Sequence, residues 1–318
     1  MNQMKKTILL VLCLGLTTLS FAQKFKQNFV STDIDNFWVA YEKIISEKDS
    51  TKQYSLLKEF YLDKATPGLK SIIEVRNYRE KDFIDMITKY PKFWNSIKKN
   101  TLEAKNHYSS INSDIKKLKK AYPGLKPSII YFTVGAFRTN GTIHGNKILI
   151  GSELSLADKN TVIDELPDWR QSFYKTQHPA NEIALLCTHE YVHTQQKELV
   201  DNLLSMCLYE GVAEFISCKV TGKKSTTPAI EFGKANQKIV IEKFVSDMFT
   251  MNNNYNWIWG ENRNELKIRD LGYYIGYEIC ERYYNQSKDK QKAIKELIEL
   301  DYTNEKEVER IVDSANLF

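Results

Sequence analysis

The pentapeptide HEYVH at residues 189–193 constrains the fold of this chain more than any other feature. It lies in an apolar stretch with helical periodicity, so His189 and His193 fall one turn apart on one helical face. Side chains at that spacing lie about 6 Å apart at Cβ, and both imidazoles can therefore bind one metal ion. Glu190 lies one step round the helix, beside the ion, where it can hold the attacking water.

A catalytic zinc site needs a third protein ligand and keeps one position for solvent. The next apolar helical stretch, LYEGVAEF, supplies Glu210 after sixteen intervening residues. The small residues Gly211 and Ala213 favour close packing against the HEYVH helix. If the two helices run antiparallel, Glu210 lies beside His193. Glu214 lies one turn later, and we assign it to a hydrogen bond with an imidazole. The alternative is that Glu214, or an acidic residue elsewhere, is the third ligand.

The two motifs resemble the gluzincin layout, in which HExxH is followed by a glutamate ligand in an EGxA-type helix. They are still more similar to poorly characterised bacterial families of predicted zinc-dependent proteases, which share a preceding β-hairpin. The resemblance covers about residues 127–221 and extends to the later segment 272–277. It implies one zinc ion per chain on His189, His193 and Glu210, and peptide-bond hydrolysis with Glu190 as general base. The ligand stands two residues earlier than in gluzincin aminopeptidases, and no exopeptidase motif precedes it.

The developing oxyanion in such a reaction needs a further hydrogen-bond donor. We single out Tyr273 and Tyr274 as catalytic candidates, with Tyr277 and Arg269 as alternatives. The glycines of this segment, residues 272–277, favour a close helix-packing surface first, with a catalytic tyrosine as the second interpretation.

By the gluzincin analogy, a strand near the motif helices pairs at its edge with an extended peptide substrate. The strand residues proposed for this role are Ile148, Leu149, Ile150 and Gly151.

Periodicity divides the chain into helices, a short β region and further helices. We predict an N-terminal helical region of four or five helices over 23–125, a catalytic core over 126–225 and a C-terminal helical region over 226–318. β-branched and aromatic residues mark strand candidates at 128–134 and 147–151. The expected fold is α+β and predominantly helical, with a zincin-like active-site helix pair beside a small antiparallel sheet.

Within the core, the polar segment 155–178 is expected to be an irregular loop. The motif helices are expected over 179–199 and 201–220, the second ending at Gly222. A stretch rich in asparagine and tryptophan then interrupts the C-terminal helices over 252–262. Its tryptophans could line a specificity pocket, although packing or a loop over the cleft explains them more simply.

The first 22 residues have the layout of a secretory signal peptide. Two lysines precede a short apolar run, and small residues surround the expected cleavage after Ala22. The run is short and interrupted by polar residues, so it does not favour a membrane anchor, and no later stretch predicts an integral membrane segment. We therefore expect a chain exported to the periplasm or the medium.

Loss of Lys5 and Lys6 lowers the formal net charge from +5 by two, to +3. With no basic aromatic module, this excess does not favour a nucleic acid partner. We expect a peptide or protein substrate instead. The four cysteines left after cleavage can be buried thiols or form disulfides, and the sequence does not choose between these two alternatives. These cysteines are Cys187, Cys207, Cys218 and Cys280.

Two other functions stay open at this point. One is a metal-dependent hydrolase of a non-peptide amide or ester. The other is a catalytically inactive exported protein that uses the metal site for binding or assembly. Glu190 argues against the second, because a site that only binds metal has no need of a general base.

Overall fold

The computed structural model describes residues 27–249, 254–259 and 265–318. The predicted signal peptide, residues 1–22, lies outside these ranges. The structure is 65% helical with a small four-stranded mixed sheet, which confirms a predominantly helical α+β fold. Buried apolar residues of the N-terminal, central and C-terminal regions form one connected core. The division of the chain near residues 125 and 225 stays a prediction.

Six α-helices lie between the first two strands, rather than the four or five expected. Asp49 and Thr66 begin two of them by accepting backbone N–H groups of the first turn. Pro91 begins a new helix directly after Tyr90, since proline is tolerated in a first turn but not in a helix interior. The six are α1 (Thr32–Ser46), α2 (Ser50–Phe60), α3 (Pro67–Val75), α4 (Glu80–Lys89), α5 (Pro91–Leu102) and α6 (Tyr108–Ala121).

The sheet is mixed, so the expectation of an antiparallel sheet is wrong. Its strands are β1 (Asn28–Val30), β2 (Ile129–Thr133), β3 (Gly141–His144) and β4 (Lys147–Gly151). In the order β1-β2-β4-β3, β1 and β4 run parallel to β2, and β3 pairs antiparallel with β4. The sequence analysis located β2 and β4 but not β3. Because β3 lies between them in the chain, the direction reverses twice and β4 returns parallel to β2.

Strand β4 lies inside the sheet, between β2 and β3, so it is not the edge strand that was expected. Its side chains Ile148, Leu149 and Ile150 are fully buried. A continuous apolar run of this kind is typical of a strand covered on both faces. The edge on this side of the sheet is β3. The correction applies to Ile148, Leu149, Ile150 and Gly151 alike.

Four helices follow the sheet: α7 (Ser152–Ser155), α8 (Asp168–Thr176), α9 (Ile183–His193) and α10 (Leu203–Thr221). Helix α8 occupies part of the segment expected to be irregular. Helix α9 ends six residues before the expected end, and the side chains of Thr194 and Gln196 bond to its last turn. Helix α10 begins at an Asn202 cap and ends at left-handed Gly222 (φ 75°), which confirms the predicted end.

The C-terminal helices pack against α10 through glycines. Gly211 of α10 faces Gly276 of α14, and a Cβ on either would collide with the opposite backbone. Gly211 was expected to pack against the HEYVH helix. It packs α10 against α14 instead. The helices are α11 (Pro228–Ala235), α12 (Gln237–Asp247), α13 (Asn254–Trp257), α14 (Leu271–Gln286), α15 (Lys290–Ile298) and α16 (Glu305–Ala315).

The four cysteines left after the predicted cleavage carry free, buried thiols. They behave as small core residues rather than as crosslinks. Within the described ranges, no helix combines the length and the apolar character needed to cross a membrane.

Candidate metal centre

Helices α9 and α10 bring His189, His193 and Glu210 together. The Nε2 atoms of the two imidazoles lie 3.0 Å apart. Glu210 Oε2 lies 3.4 Å from His189 Nε2 and 3.2 Å from His193 Nε2. All three side chains are buried, and they form the one metal-binding cluster of this kind in the described residues. Ligand atoms at about 2.0–2.1 Å from a tetrahedral zinc ion lie about 3.3 Å apart, so this spacing fits zinc.

The outer nitrogens of both imidazoles are held by acceptors. His189 Nδ1 lies 2.9 Å from Glu214 Oε2, and His193 Nδ1 lies 2.7 Å from Gln196 Oε1. The Gln196 amide is oriented by its own donation to the Tyr209 carbonyl and the Tyr302 hydroxyl. Because the acceptors take the Nδ1 protons, both Nε2 atoms present lone pairs to the centre, as in histidine ligands of zinc.

These lone pairs converge on Glu210, whose Oε2 atom is buried and has no hydrogen-bond partner among the described residues. Burial lowers the pKa of His189, but the carboxylates of Glu210 and Glu214 outweigh it and raise that pKa well above its usual value. Burial alone would raise the pKa of Glu210, but His193 and His189 hold it below its usual range. The cluster therefore favours positive charge at its centre, which a cation bound there would supply in place of a proton.

Glu190 is buried beside the cluster. Burial raises its pKa, while the charge of His193 and His189 opposes the rise. A carboxyl group whose pKa is shifted towards neutrality can accept a proton and return it. Its Oε1 atom would lie 2.7 Å from a Cβ placed on Gly141, so the edge strand β3 passes directly against this carboxylate. Arg76, at the end of α3, adds a nearby positive charge.

Of the two tyrosines predicted as catalytic, the structure places one at the centre. The Tyr273 ring stacks on His189, with centroids 6.3 Å apart and planes 20° apart. Burial and Glu210 raise the pKa of its hydroxyl well above its usual value, so it stays a protonated donor. Tyr274 points to the other side of α14, where its fully buried ring packs on Gly233, and we correct its assignment accordingly.

The two alternative donors contact other side chains in the structure. Tyr277 packs edge-on against Phe215 and under the Lys234 ammonium group. The Arg269 guanidinium lies over the Trp169 ring and close to Asp270.

Three residues at the centre were not assigned from the sequence. Gln196 orients His193 from just beyond the end of α9. Its position three residues after the histidine, within the helix expected over 179–199, is a signal that could have identified it. The Tyr209 ring stacks on His193 with centroids 4.5 Å apart. Trp259 donates its indole N–H to Glu210 Oε1 over 3.1 Å, and no local spacing connects these two residues.

A family described as "Predicted Zn-dependent protease (DUF2268)" has a model that matches residues 166–304. The chain is similar to this family of predicted zinc proteases. The matched span contains both histidines of the cluster and all the carboxylates around them. It extends further towards the C terminus than the resemblance inferred from the motifs, and it begins after the sheet. The comparison with curated proteins found no match, and neither did the comparison with solved structures.

Proposed function

We propose that the protein is a zinc-dependent peptidase that hydrolyses peptide bonds, with one zinc ion per chain. The observation that carries this proposal is the buried cluster of His189, His193 and Glu210 with Glu190 beside it. The hydrogen bond from His189 to Glu214 supports it, since such partners orient histidine ligands and raise their basicity. Similarity to a family of predicted zinc proteases supports the same conclusion.

Each side chain has a role that follows from its position. His189, His193 and Glu210 would hold the zinc, which would polarise the scissile carbonyl and lower the pKa of a water molecule to about 7. Glu190 accepts a proton from the attacking water and returns it to the leaving nitrogen. Tyr273, protonated and stacked on His189, donates a hydrogen bond to the developing oxyanion.

Strand β3 is the part of the sheet suited to hold an extended substrate. Among the described residues β3 pairs only with β4, so its outer edge can accept a further strand. Its first residue, Gly141, lies against Glu190. A peptide paired with this edge would therefore pass close to the general base. The proposed substrate edge thus moves from β4 to its neighbour.

We further propose that the enzyme acts after export, because residues 1–22 have the layout of a signal peptide. The same residues should be absent from the N terminus of the mature protein. N-terminal sequencing of protein recovered from the periplasm or medium tests this, and an intact N terminus would contradict it.

The decisive experiment combines metal analysis with one substitution. The native chain should contain about one zinc per molecule and cleave a casein substrate. Glu190→Gln should keep the zinc and lose about 100-fold or more of the turnover, since general base catalysis contributes 10²–10⁴-fold. Glu198→Gln, an exposed change outside the cluster, is the matched control.

Equal turnover by native protein and Glu190→Gln would refute the assigned role. If the native protein cleaved small amides or esters but did not cleave casein, the non-peptide alternative would be favoured. A zinc-bound native protein with no hydrolytic activity would favour a protein that only binds metal.

A further inference from the structure

The two oxygens of Glu210 have different surroundings. Oε2 faces the two imidazole nitrogens at 3.2 and 3.4 Å, and no residue that the structure describes forms a hydrogen bond with it. Oε1 accepts the indole N–H of Trp259 over 3.1 Å. A carboxylate free to rotate can bind a cation through one oxygen or through both. Here a neutral donor occupies one oxygen and leaves the other for the ion.

We propose that Trp259 is a positioning residue, which holds Glu210 as a one-oxygen ligand and so leaves coordination space for water and substrate. A catalytic zinc site has three protein ligands and one open position, and a second carboxylate oxygen would compete for that position. Hydrogen bonds of this kind around a metal site orient its ligands and tune their affinity. The inference rests on the proposed function only in that it requires the zinc centre.

The backbone conformation of Trp259 and the contacts around it hold the indole in place. Trp259 has φ 58°, in the left-handed region that tryptophan rarely adopts. Its own N–H donates to Asp270 Oδ1 over 2.9 Å. The two residues before it are anchored in the core, where Trp257 donates to Asp247 and Ile258 packs against Gly272. The Trp259 indole thus reaches Glu210 from a strained residue that directly follows two core residues.

Apolar burial does not account for this conformation. Trp259 leaves 45% of its surface exposed, whereas its neighbour Trp257 is fully buried. A half-exposed ring recovers less of the cost of a positive φ than a fully buried ring would, and that cost is about 1–3 kcal/mol for such residues. Lys267 and Asp270 in the same segment also have positive φ angles, of 55° and 59°. Strain of this kind concentrates at functional sites, where surrounding contacts maintain it.

The test is the zinc affinity of Trp259→Phe, which keeps the aromatic ring and removes the N–H. Competition with a chelator on the full chain should give a zinc dissociation constant about 10-fold to 100-fold above the native value. Trp169→Phe is the matched control. Trp169 is 57% exposed, and its ring contacts the side chains of Arg170 and Arg269 rather than a metal ligand. The zinc affinity of Trp169→Phe should therefore equal that of the native protein.

A spectroscopic readout accompanies the affinity. Cobalt(II) in place of zinc should quench native tryptophan fluorescence, and Trp259→Phe should lose much of that quenching while Trp169→Phe keeps it. The melting temperature of the metal-free protein should be the same in all three forms. If Trp259→Phe melts at a lower temperature than the native protein, the comparison of native protein with Trp169→Phe still tests the inference. Weaker quenching in Trp169→Phe would mean that Trp169, rather than Trp259, is the quenched tryptophan, and would overturn the inference.

The outcomes separate this inference from the proposed function. Equal zinc affinity in native protein and folded Trp259→Phe would overturn the role of Trp259 and leave the zinc centre intact. A native chain that binds no zinc would refute the metal centre itself, and with it the proposed peptidase.

Discussion

The two sides of the metal centre are built in different ways. The ligand side comes from α9 and α10, where His189 and His193, and likewise Glu210 and Glu214, stand four residues apart on a helix. The facing side comes from β3 and the end of α3, where Gly141 lies against Glu190. The ligand side falls within the match to predicted zinc proteases, and the facing side precedes it.

This difference teaches where each kind of information lies in the chain. The ligand side depends on spacing within single helices, which a short motif records. The facing side depends on which strand lies at the sheet edge, and no motif records that. The ligand side should therefore govern metal affinity, while the facing side should govern turnover with the metal still bound.

The largest expected effect is on turnover and comes from Tyr273 on α14, a helix that supplies none of the proposed metal ligands. Tyr273→Phe removes the proposed oxyanion donor, and loss of one such donor lowers kcat by about 10²–10³-fold. Zinc content should stay at the native level. Tyr274→Phe is the control, since that ring packs on Gly233 away from the cluster. Steady-state kinetics on casein measure both, and similar kcat values for the two variants would remove Tyr273 from the mechanism.

The facing side is tested by Gly141→Ala. The added Cβ would come within 2.7 Å of Glu190 Oε1, so the carboxylate must shift. A misplacement of about 1 Å can cost about 100-fold in rate, and we expect a loss of that order in kcat. Zinc affinity should not change, because Gly141 touches no ligand.

Thr142→Ala on the same strand serves as the control for the loss of β3 structure. If Gly141→Ala lowered zinc affinity as much as kcat, the proposed separation between the two sides of the centre would be wrong.

The smallest effect concerns the partner of His189. Glu214→Gln keeps an acceptor oxygen near His189 Nδ1 but removes the negative charge. We expect the zinc dissociation constant to rise about 10-fold, the lower end of the range for such partners. Chelator competition measures it. An unchanged constant would show that the orientation of the imidazole matters and the charge of Glu214 does not.

Much of the ligand side could be predicted from the sequence. Residues four apart on a helix share a face whatever the rest of the chain does, so the spacing of His189 and His193 already implied convergence. Glu210 needed one further step, a neighbouring helix that returns to the first. The structure brings the three side chains together. Gly211, which follows Glu210, nevertheless packs against α14 and not against the HEYVH helix.

The facing side could be predicted only in part. The composition of β2 and β4 indicated strands, but one unrecognised strand between them changed a predicted antiparallel pair into a parallel one. The same omission placed the substrate edge on β4, whose apolar residues in fact lie inside the sheet. Strand order depends on pairing between distant segments, which hydrophobic pattern alone does not specify.

By itself, the sequence determined the helical character of the chain, and it predicted the metal-binding chemistry and the residue suited to act as base. Helical periodicity and side-chain chemistry are local properties, so a few neighbouring residues record them. Only the tertiary structure decided which strand borders Glu190, which of two adjacent tyrosines faces His189, and that Trp259 reaches Glu210. Those contacts join segments far apart in the chain, and they follow from how whole helices and strands pack.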